Sequence, residues 1–276
     1  MADYRIGFKW WALIIAVVFV ISELVCVACV PERPVACDEK PGKISDMFKA
    51  LFKNDQAMTV VVSIILVYTS LNICGNLVLY FFRFDVGNEG AYSIFAAVAF
   101  AAQVLVMMVI PLLRKRFSKS QLFISGFIIQ IAGFAVILIM AFAKLYTPQS
   151  WYILCLPGIL IYLGYGMLNV IMTIFLSDSV DYGEVMNGTR EESVIFSMQT
   201  FTVKLASGVA VFLAGLVVDW IHLDTAAAVQ TQDTLDDLRM WMTIPSVILL
   251  IVGIFVFKRF YKLDDTRMEE IKSKLN

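Results

Sequence analysis

The chain has 276 residues, 60% of them hydrophobic and 16% charged, against about 45–50% apolar and about 25% charged in an ordinary soluble domain. Its formal net charge is -1, from 22 Lys+Arg and 23 Asp+Glu, so it has neither a basic surplus for nucleic acid nor an acidic tail. With 15 Gly and 5 scattered Cys it fits neither a collagen-like nor a disulfide-framework class, and its apolar residues come in blocks long enough to cross a bilayer.

A hydrocarbon core about 30 Å thick needs roughly 20 apolar residues in a helix. Seven segments meet that length: span A over 8–30, B over 57–82, C over 92–113, D over 121–143, E over 151–176, F over 194–218 and G over 240–258. Span A runs into a charged segment without a small-residue cleavage site, which predicts a retained helix rather than a leader. Between A and B, Ile44, Met47, Phe48, Leu51 and Phe52 recur at helical spacing opposite Asp46, Lys49 and Lys53, the pattern of a surface helix lying on a membrane. The tail repeats it more weakly with Leu263, Met268, Ile271 and Leu275.

Loop charge predicts the orientation. One side collects Arg33, Lys40, Lys43, Lys49 and Lys53, then Arg114, Lys115, Arg116 and Lys119, then Arg190, and a tail with Lys258, Arg259, Lys262, Arg267, Lys272 and Lys274. The other side has only Arg5, Lys9, Arg83, Lys144 and Arg239. The expectation is a multi-pass protein of the inner (plasma) membrane with its C-terminus cytoplasmic and its N-terminus outside. An outward N-terminus ahead of an odd number of spans suggests that helices are missing upstream.

Spans B-C-D and E-F-G divide evenly after A. A shift of 93 residues brings Asn76 onto Asn169 and Asp85 onto Asp178, each pair an Asn followed by an Asp at a span end. Since B and E run in opposite directions, such a repeat is inverted, a recurrent transporter design with its substrate site near the midplane.

Lys204 falls near the middle of span F. A central lysine costs about 2.5–3.5 kcal/mol on insertion scales, so it is expected to face a cavity or an anionic partner. Ser193, Ser197, Thr200, Lys204, Ser207 and Gly208 follow one helix face, with Gln199 beside them. Helix–helix contact explains the small and hydroxyl residues of that stripe but not the lysine. Glu23 in span A is the one acid inside a span, within reach if A and F pack together; otherwise the partner lies on another chain. Asn72, Asn76, Gln103, Gln130 and Asn169 are neutral polar groups in spans, with mid-span Asn169 the best candidate to touch a substrate. Cys26, Cys29 and Cys37 are spaced like metal ligands, but two of them lie in a span and the single His, His222, is distant, so no metal site is expected. Nothing in the sequence pairs a nucleophile with a base or cradles a phosphate, so the chain is not expected to be an enzyme.

The E–F loop breaks the loop-charge pattern: Asp178, Asp181, Glu184, Glu191 and Glu192 face Arg190 alone. Acids at a cytoplasmic helix end suggest pairing with basic residues of other loops, as the inner gate of a carrier would need.

These residues carry a resemblance. The runs Asp178-Ser179-Val180-Asp181-Tyr182-Gly183-Glu184, Gly188-Thr189-Arg190 with Glu192-Ser193, and Gln199-Thr200 with Val203-Lys204, preceded by Lys53-Asn54-Asp55-Gln56 before span B, resemble the glycoside-pentoside-hexuronide:cation symporters of the major facilitator superfamily, the melibiose permease-like carriers. The resemblance covers essentially the whole chain. It implies an all-α integral membrane fold in which residues 1–30 correspond to the sixth helix of a twelve-helix carrier, 31–56 to a cytoplasmic loop, 57–258 to the C-terminal six-helix bundle and 259–276 to a cytoplasmic tail. It further implies that Lys204 is the charge partner of cation-site carboxylates, that Gln199, Thr200 and Val203 lie near the sugar, and that Asp178, Asp181, Glu184 and Arg190 form cytoplasmic gate pairs. Asn169 stands where the family's type member has a Trp, which bears on sugar preference.

The function so implied is sugar transport coupled to a sodium ion or proton, with the cation held mainly by a missing N-terminal half. No cofactor is implied. The implied partners are a sugar, the lipid bilayer and a separately encoded N-terminal half. A carrier of another amphiphilic cargo, or a non-transporting membrane subunit or fragment, are the alternatives.

Overall fold

The computed structural model describes residues 2–29, 52–188 and 192–275, and every regular element among them is helical. In chain order these are α1 (Ala2–Cys29), α2 (Asp55–Tyr80) continuing into a π-helical turn at Phe81–Asp85, α3 (Ala91–Leu113), α4 (Lys119–Phe142), α5 (Cys155–Asn187) entered through a 3-10 turn at Trp151–Leu154, α6 (Glu192–Trp220), α7 (Gln232–Phe260) and α8 (Asp265–Leu275). The first seven are long and apolar enough to cross a membrane. Helix α1 forms a unit of its own, with exposed apolar side chains such as Trp10, Trp11 and Phe19. The surface helix expected from Ile44 to Asn54 falls mainly outside the described residues, as does Arg190.

Hydropathy ends span E at 176, yet α5 stays helical through Asn187 and stops only where Gly188 takes φ 73, a left-handed cap that glycine adopts without steric cost. Asp178, Asp181 and Glu184 therefore stand on the last turns of a helix and not in a loop. The charges mislead a hydropathy reading because a buried carboxylate with a cationic partner ends the apolar run without ending the helix.

The bundle is built as two interlocked triplets, α2–α3–α4 and α5–α6–α7. Helix α2 packs on α7 as α5 packs on α4, and α6 packs on α2 as α3 packs on α5, while α2–α5 and α4–α7 meet at the centre. Exchanging the triplets maps each of these contacts onto another, which is the arrangement the shifted Asn and Asp pairs anticipate.

Helix α5 is held between α3 and α4 by backbone approach. A Cβ on Gly164 would come within 2.5 Å of the Gly126 carbonyl oxygen and 2.6 Å of the Gln130 nitrogen, and one on Gly166 within 2.6 Å of Val106 Cγ1. With lipid outside, such close van der Waals packing replaces the hydrophobic drive that joins helices in water. Gly164→Ala is expected to destabilise the bundle by about 1–3 kcal/mol. Gly75→Ala, whose Cβ meets nothing within 4 Å, should be neutral or stabilising by up to about 1 kcal/mol. Thermal unfolding of both variants in detergent tests the opposite signs.

The Asn54–Gln56 segment explains its own side chains. Asn54 Oδ1 accepts from Ala57 N at 2.9 Å, capping α2, while its Nδ2 donates to the Ser179 carbonyl of α5 at 2.8 Å. Gly183 leaves room for that amide, since a Cβ there would sit 2.8 Å from Asn54 Nδ2. Gln56 accepts from Lys262 N at 2.8 Å beyond α7. The start of α2 is thus tied to the ends of α5 and α7, and α2 and α5 run antiparallel.

Candidate functional site

A polar face runs along α2, α5 and α6 at mid-bundle. On α2 and α5, Asn169 Nδ2 donates to Tyr68 Oη at 2.5 Å, and the Tyr68 ring packs edge-on to Tyr165 at 5.5 Å. Helix α6 joins at two heights: Gln199 Nε2 lies 3.5 Å from Thr173 Oγ1 of α5, and Ser207 Oγ lies 3.4 Å from Asn72 Oδ1 of α2. Between those rungs stand Val203 and Lys204, level with Tyr68 and Asn169 by helical register. Val203, Asn169 and Gln199 are half-buried, whereas Thr200 and Lys204 are exposed. Lys204 sits near the centre of the 29-residue α6 and has no ion-pair partner among the described residues.

Local backbone bonds decide what this face offers. The hydroxyls of Thr173, Ser197 and Thr200 donate to carbonyls one turn back, at 3.1, 2.6 and 3.3 Å. The amide nitrogens of Asn72 and Asn76 do the same, each at 2.7 Å, to Tyr68 and Asn72. With those hydroxyl protons engaged on the helix itself, the hydroxyl oxygens remain to accept, while each amide keeps its second N–H to donate and its oxygen to accept. The face therefore offers both acceptors and donors beside the Lys204 ammonium, and it suits a ligand rich in hydroxyl groups, which both donate and accept.

The two ends of the bundle hold buried ion pairs. At one, Lys119 at the start of α4 donates to Asp178 on α5, both side chains 7% exposed. Asp265 of α8 approaches Lys119 at 3.5 Å and Arg114 at 3.3 Å. At the other, Arg239 of α7 grips Asp85 through Nε at 2.9 Å and Nη2 at 2.5 Å, both side chains 3% exposed, and Tyr146 Oη donates to Asp85 at 2.5 Å. Burial, and then the neighbouring carboxylate, push the Tyr146 phenol well above its usual range, so it stays a donor. These pairs are counterparts: each joins the end of a triplet's first helix to the start of the other triplet's third.

The tail also differs from a free surface helix. Leu263, Met268 and Ile271 are buried against Tyr182, Val185 and Tyr261, so α8 docks on the end of α5. Burial opposes the charged form of Asp265, but the Arg114 hydrogen bond and charge, with Lys119, hold its carboxyl below the ordinary value of 3.8. A depressed carboxyl stabilises docking at pH values above 3.8, and that contribution disappears as pH falls through the folded-state value. Protection from hydrogen exchange across Met268–Ile271, taken relative to the intrinsic rate at each pH, should therefore be high at pH 7 and fall in acid. Asp265→Asn should show lower protection than wild type at pH 7 and lose the acid response.

Of the residues expected at the site, the structure brings Asn169, Gln199, Val203 and Lys204 to one face, with Thr200 on the same helix. Asp178 forms its pair inside the bundle with Lys119, and Asp181 and Glu184 share its helix. Sequence reasoning missed Tyr68, an apolar-looking aromatic in an apolar span whose only signal is its placement one turn before Asn72. It also missed Arg239 as Asp85's partner. Gln130 proved fully buried, with neither amide atom hydrogen-bonded, and stands apart from this face.

Comparison with known proteins fits this architecture. The family described as MFS/sugar transport protein matches residues 3–265. The chain is 25% identical over 254 residues to the "Uncharacterized symporter YjmB" of Bacillus subtilis (strain 168), covering 91% of this chain and 54% of that protein. It is 23% identical to the "Raffinose carrier protein" of Pediococcus pentosaceus, covering 84% and 35% respectively. It is 25% identical to the "Isoprimeverose transporter" of Lactiplantibacillus pentosus, covering 94% and 52%. The chain thus spans about half the length, or less, of these curated relatives. An all-helical, multi-pass membrane architecture and a family match over nearly the whole sequence lead to one assignment: the chain belongs to the MFS/sugar transport protein family, among the melibiose permease-like glycoside-pentoside-hexuronide:cation symporters.

Proposed function

We propose that the chain supplies one half of a sugar:cation symporter of the inner membrane, working by alternating access with its C-terminus cytoplasmic. The observation that carries this reading is Lys204, an ammonium at mid-helix without an ion-pair partner among the described residues, beside a face of amide and hydroxyl groups. Relatives named for carrying raffinose and isoprimeverose support a sugar as the hydroxyl-rich ligand. In this reading Asn169, Gln199, Thr200 and Val203 contact the sugar, and Lys204 pairs with carboxylates of a complementary half that holds sodium or a proton. Asp178, Asp181, Glu184 and Arg190 serve the cytoplasmic gate, with Lys119 anchoring Asp178.

The test is uptake of radiolabelled raffinose and isoprimeverose by cells lacking their own carriers, expressing this chain together with the N-terminal half of a relative. Accumulation that rises with an imposed sodium or proton gradient is the expected result. Uptake indifferent to both gradients contradicts coupling, and uptake of lysolipid in place of sugar would establish an amphiphile carrier.

A further inference from the structure

Two turns beyond Tyr68 along α2, a cavity of about 240 Å³ opens between α2 and α6, lined by Asn76, Tyr80, Val211, Ala214, Gly215 and Val218. That volume is roughly eight times a water molecule's share of the liquid. It exists because α6 presents Ala214 and Gly215 there, and a Cβ on Gly215 would meet nothing within 4 Å. Its polar groups are a side-chain amide and a phenol: one N–H of Asn76 Nδ2 is engaged by the Asn72 carbonyl, which leaves Oδ1 to accept and the second N–H to donate, and half-buried Tyr80 adds an aromatic ring with a polar tip. An aromatic surface beside an amide oxygen suits a pyranose, whose C–H face packs on the ring while its hydroxyls donate to the oxygen.

The cavity continues a ladder. Tyr68, Asn169 and Lys204 form one rung, Asn72 and Ser207 the next, and Asn76 and Tyr80 the third. Successive rungs are one helical turn apart, about 5.4 Å, close to the repeat of linked pyranose rings. We propose that the Asn76–Tyr80 cavity is a saccharide subsite for the far ring of an oligosaccharide whose other end occupies the Asn169–Lys204 rung. The proposal rests on the sugar-carrier reading and adds to it a preference for substrates of about three rings.

The test is equilibrium binding to the full chain in lipid nanodiscs of three galactosides of increasing length: methyl α-galactoside, melibiose and raffinose. Gly215→Leu fills the cavity from a position with free space, and Asn76→Ala removes the acceptor without adding bulk. Both are expected to weaken raffinose about tenfold, the scale of one lost hydrogen bond or ring contact, and to leave methyl α-galactoside within about twofold. Raffinose binding unchanged in both variants, or all three sugars weakened alike, overturns the subsite while leaving the sugar reading in place. Wild-type chain that binds none of the three overturns the sugar reading, and the subsite with it.

Discussion

Lys204→Val is expected to abolish cation-coupled sugar uptake in the assembled carrier, while Lys204→Arg retains part of it. Valine suits the α6 helix and its lipid environment, so the chain still inserts and folds; what disappears is the charge that α6 holds at mid-depth. Among the described residues no acid compensates that ammonium, and its neighbours Gln199, Thr200 and Ser207 are neutral. If Lys204 pairs with carboxylates across the substrate cavity, removing it leaves them unpaired in a medium of low polarity. Truncating one member of such a pair costs about 2–5 kcal/mol, or roughly 30-fold or more in the affinity of the coupled state. Initial uptake rates with and without a sodium or proton gradient measure this. Gradient-stimulated uptake persisting at wild-type level in Lys204→Val would remove the residue from the coupling mechanism.

The second large effect is structural and concerns the buried pair at the far end of α2. Asp85→Ala is expected to destabilise the bundle by about 3 kcal/mol, because it removes the buried carboxylate that takes two bonds from the Arg239 guanidinium, 3% exposed, and leaves that cation only half-buried Asp236, whose Oδ1 accepts from Nη1 at 2.6 Å. Asp85→Leu combined with Arg239→Leu should cost less, since it removes both buried charges and leaves only half-buried Asp236, which water reaches, without its partner. The π-helical turn Phe81–Asp85 matters here, because the extra residue in that turn shifts the direction of Asp85 relative to the helix before it. Asp178→Ala should be milder than a fully stranded charge, because Lys119 keeps Asp265 at 3.5 Å. Detergent unfolding midpoints of the two single variants and the double variant check the claim. A double variant as unstable as Asp85→Ala would show that stranded charge is not the cause.

The sequence made the spans, the inverted repeat and the Lys204 stripe legible, because apolar blocks, helical spacing and a mid-span charge are all local signals. Asp85 and Asp178 were visible as matched positions, but their partners were not. Arg239 and Lys119 lie 154 and 59 residues away from them, and nothing local distinguishes these cations from others in the loops. The length of α5 was hidden for a related reason, since Asp178 lowers hydropathy where it forms a buried pair. Tyr68 escaped notice because a tyrosine in an apolar span looks like packing until the Asn169 amide is placed against its hydroxyl. The tail's weak amphipathic face was read correctly as a face, but only the fold shows that it docks on Tyr182 and Val185 of α5.

The most direct test of the central claim, that the α2–α5–α6 face of this chain binds sugar, is saturable binding of radiolabelled raffinose and isoprimeverose to the chain in nanodiscs. The comparison is wild type against the triple variant Asn169→Leu, Gln199→Leu, Lys204→Val. The wild-type chain is expected to bind at least one of these sugars saturably and the triple variant neither, with both proteins equally folded by circular dichroism. Equal sugar binding by the two proteins would contradict the claim.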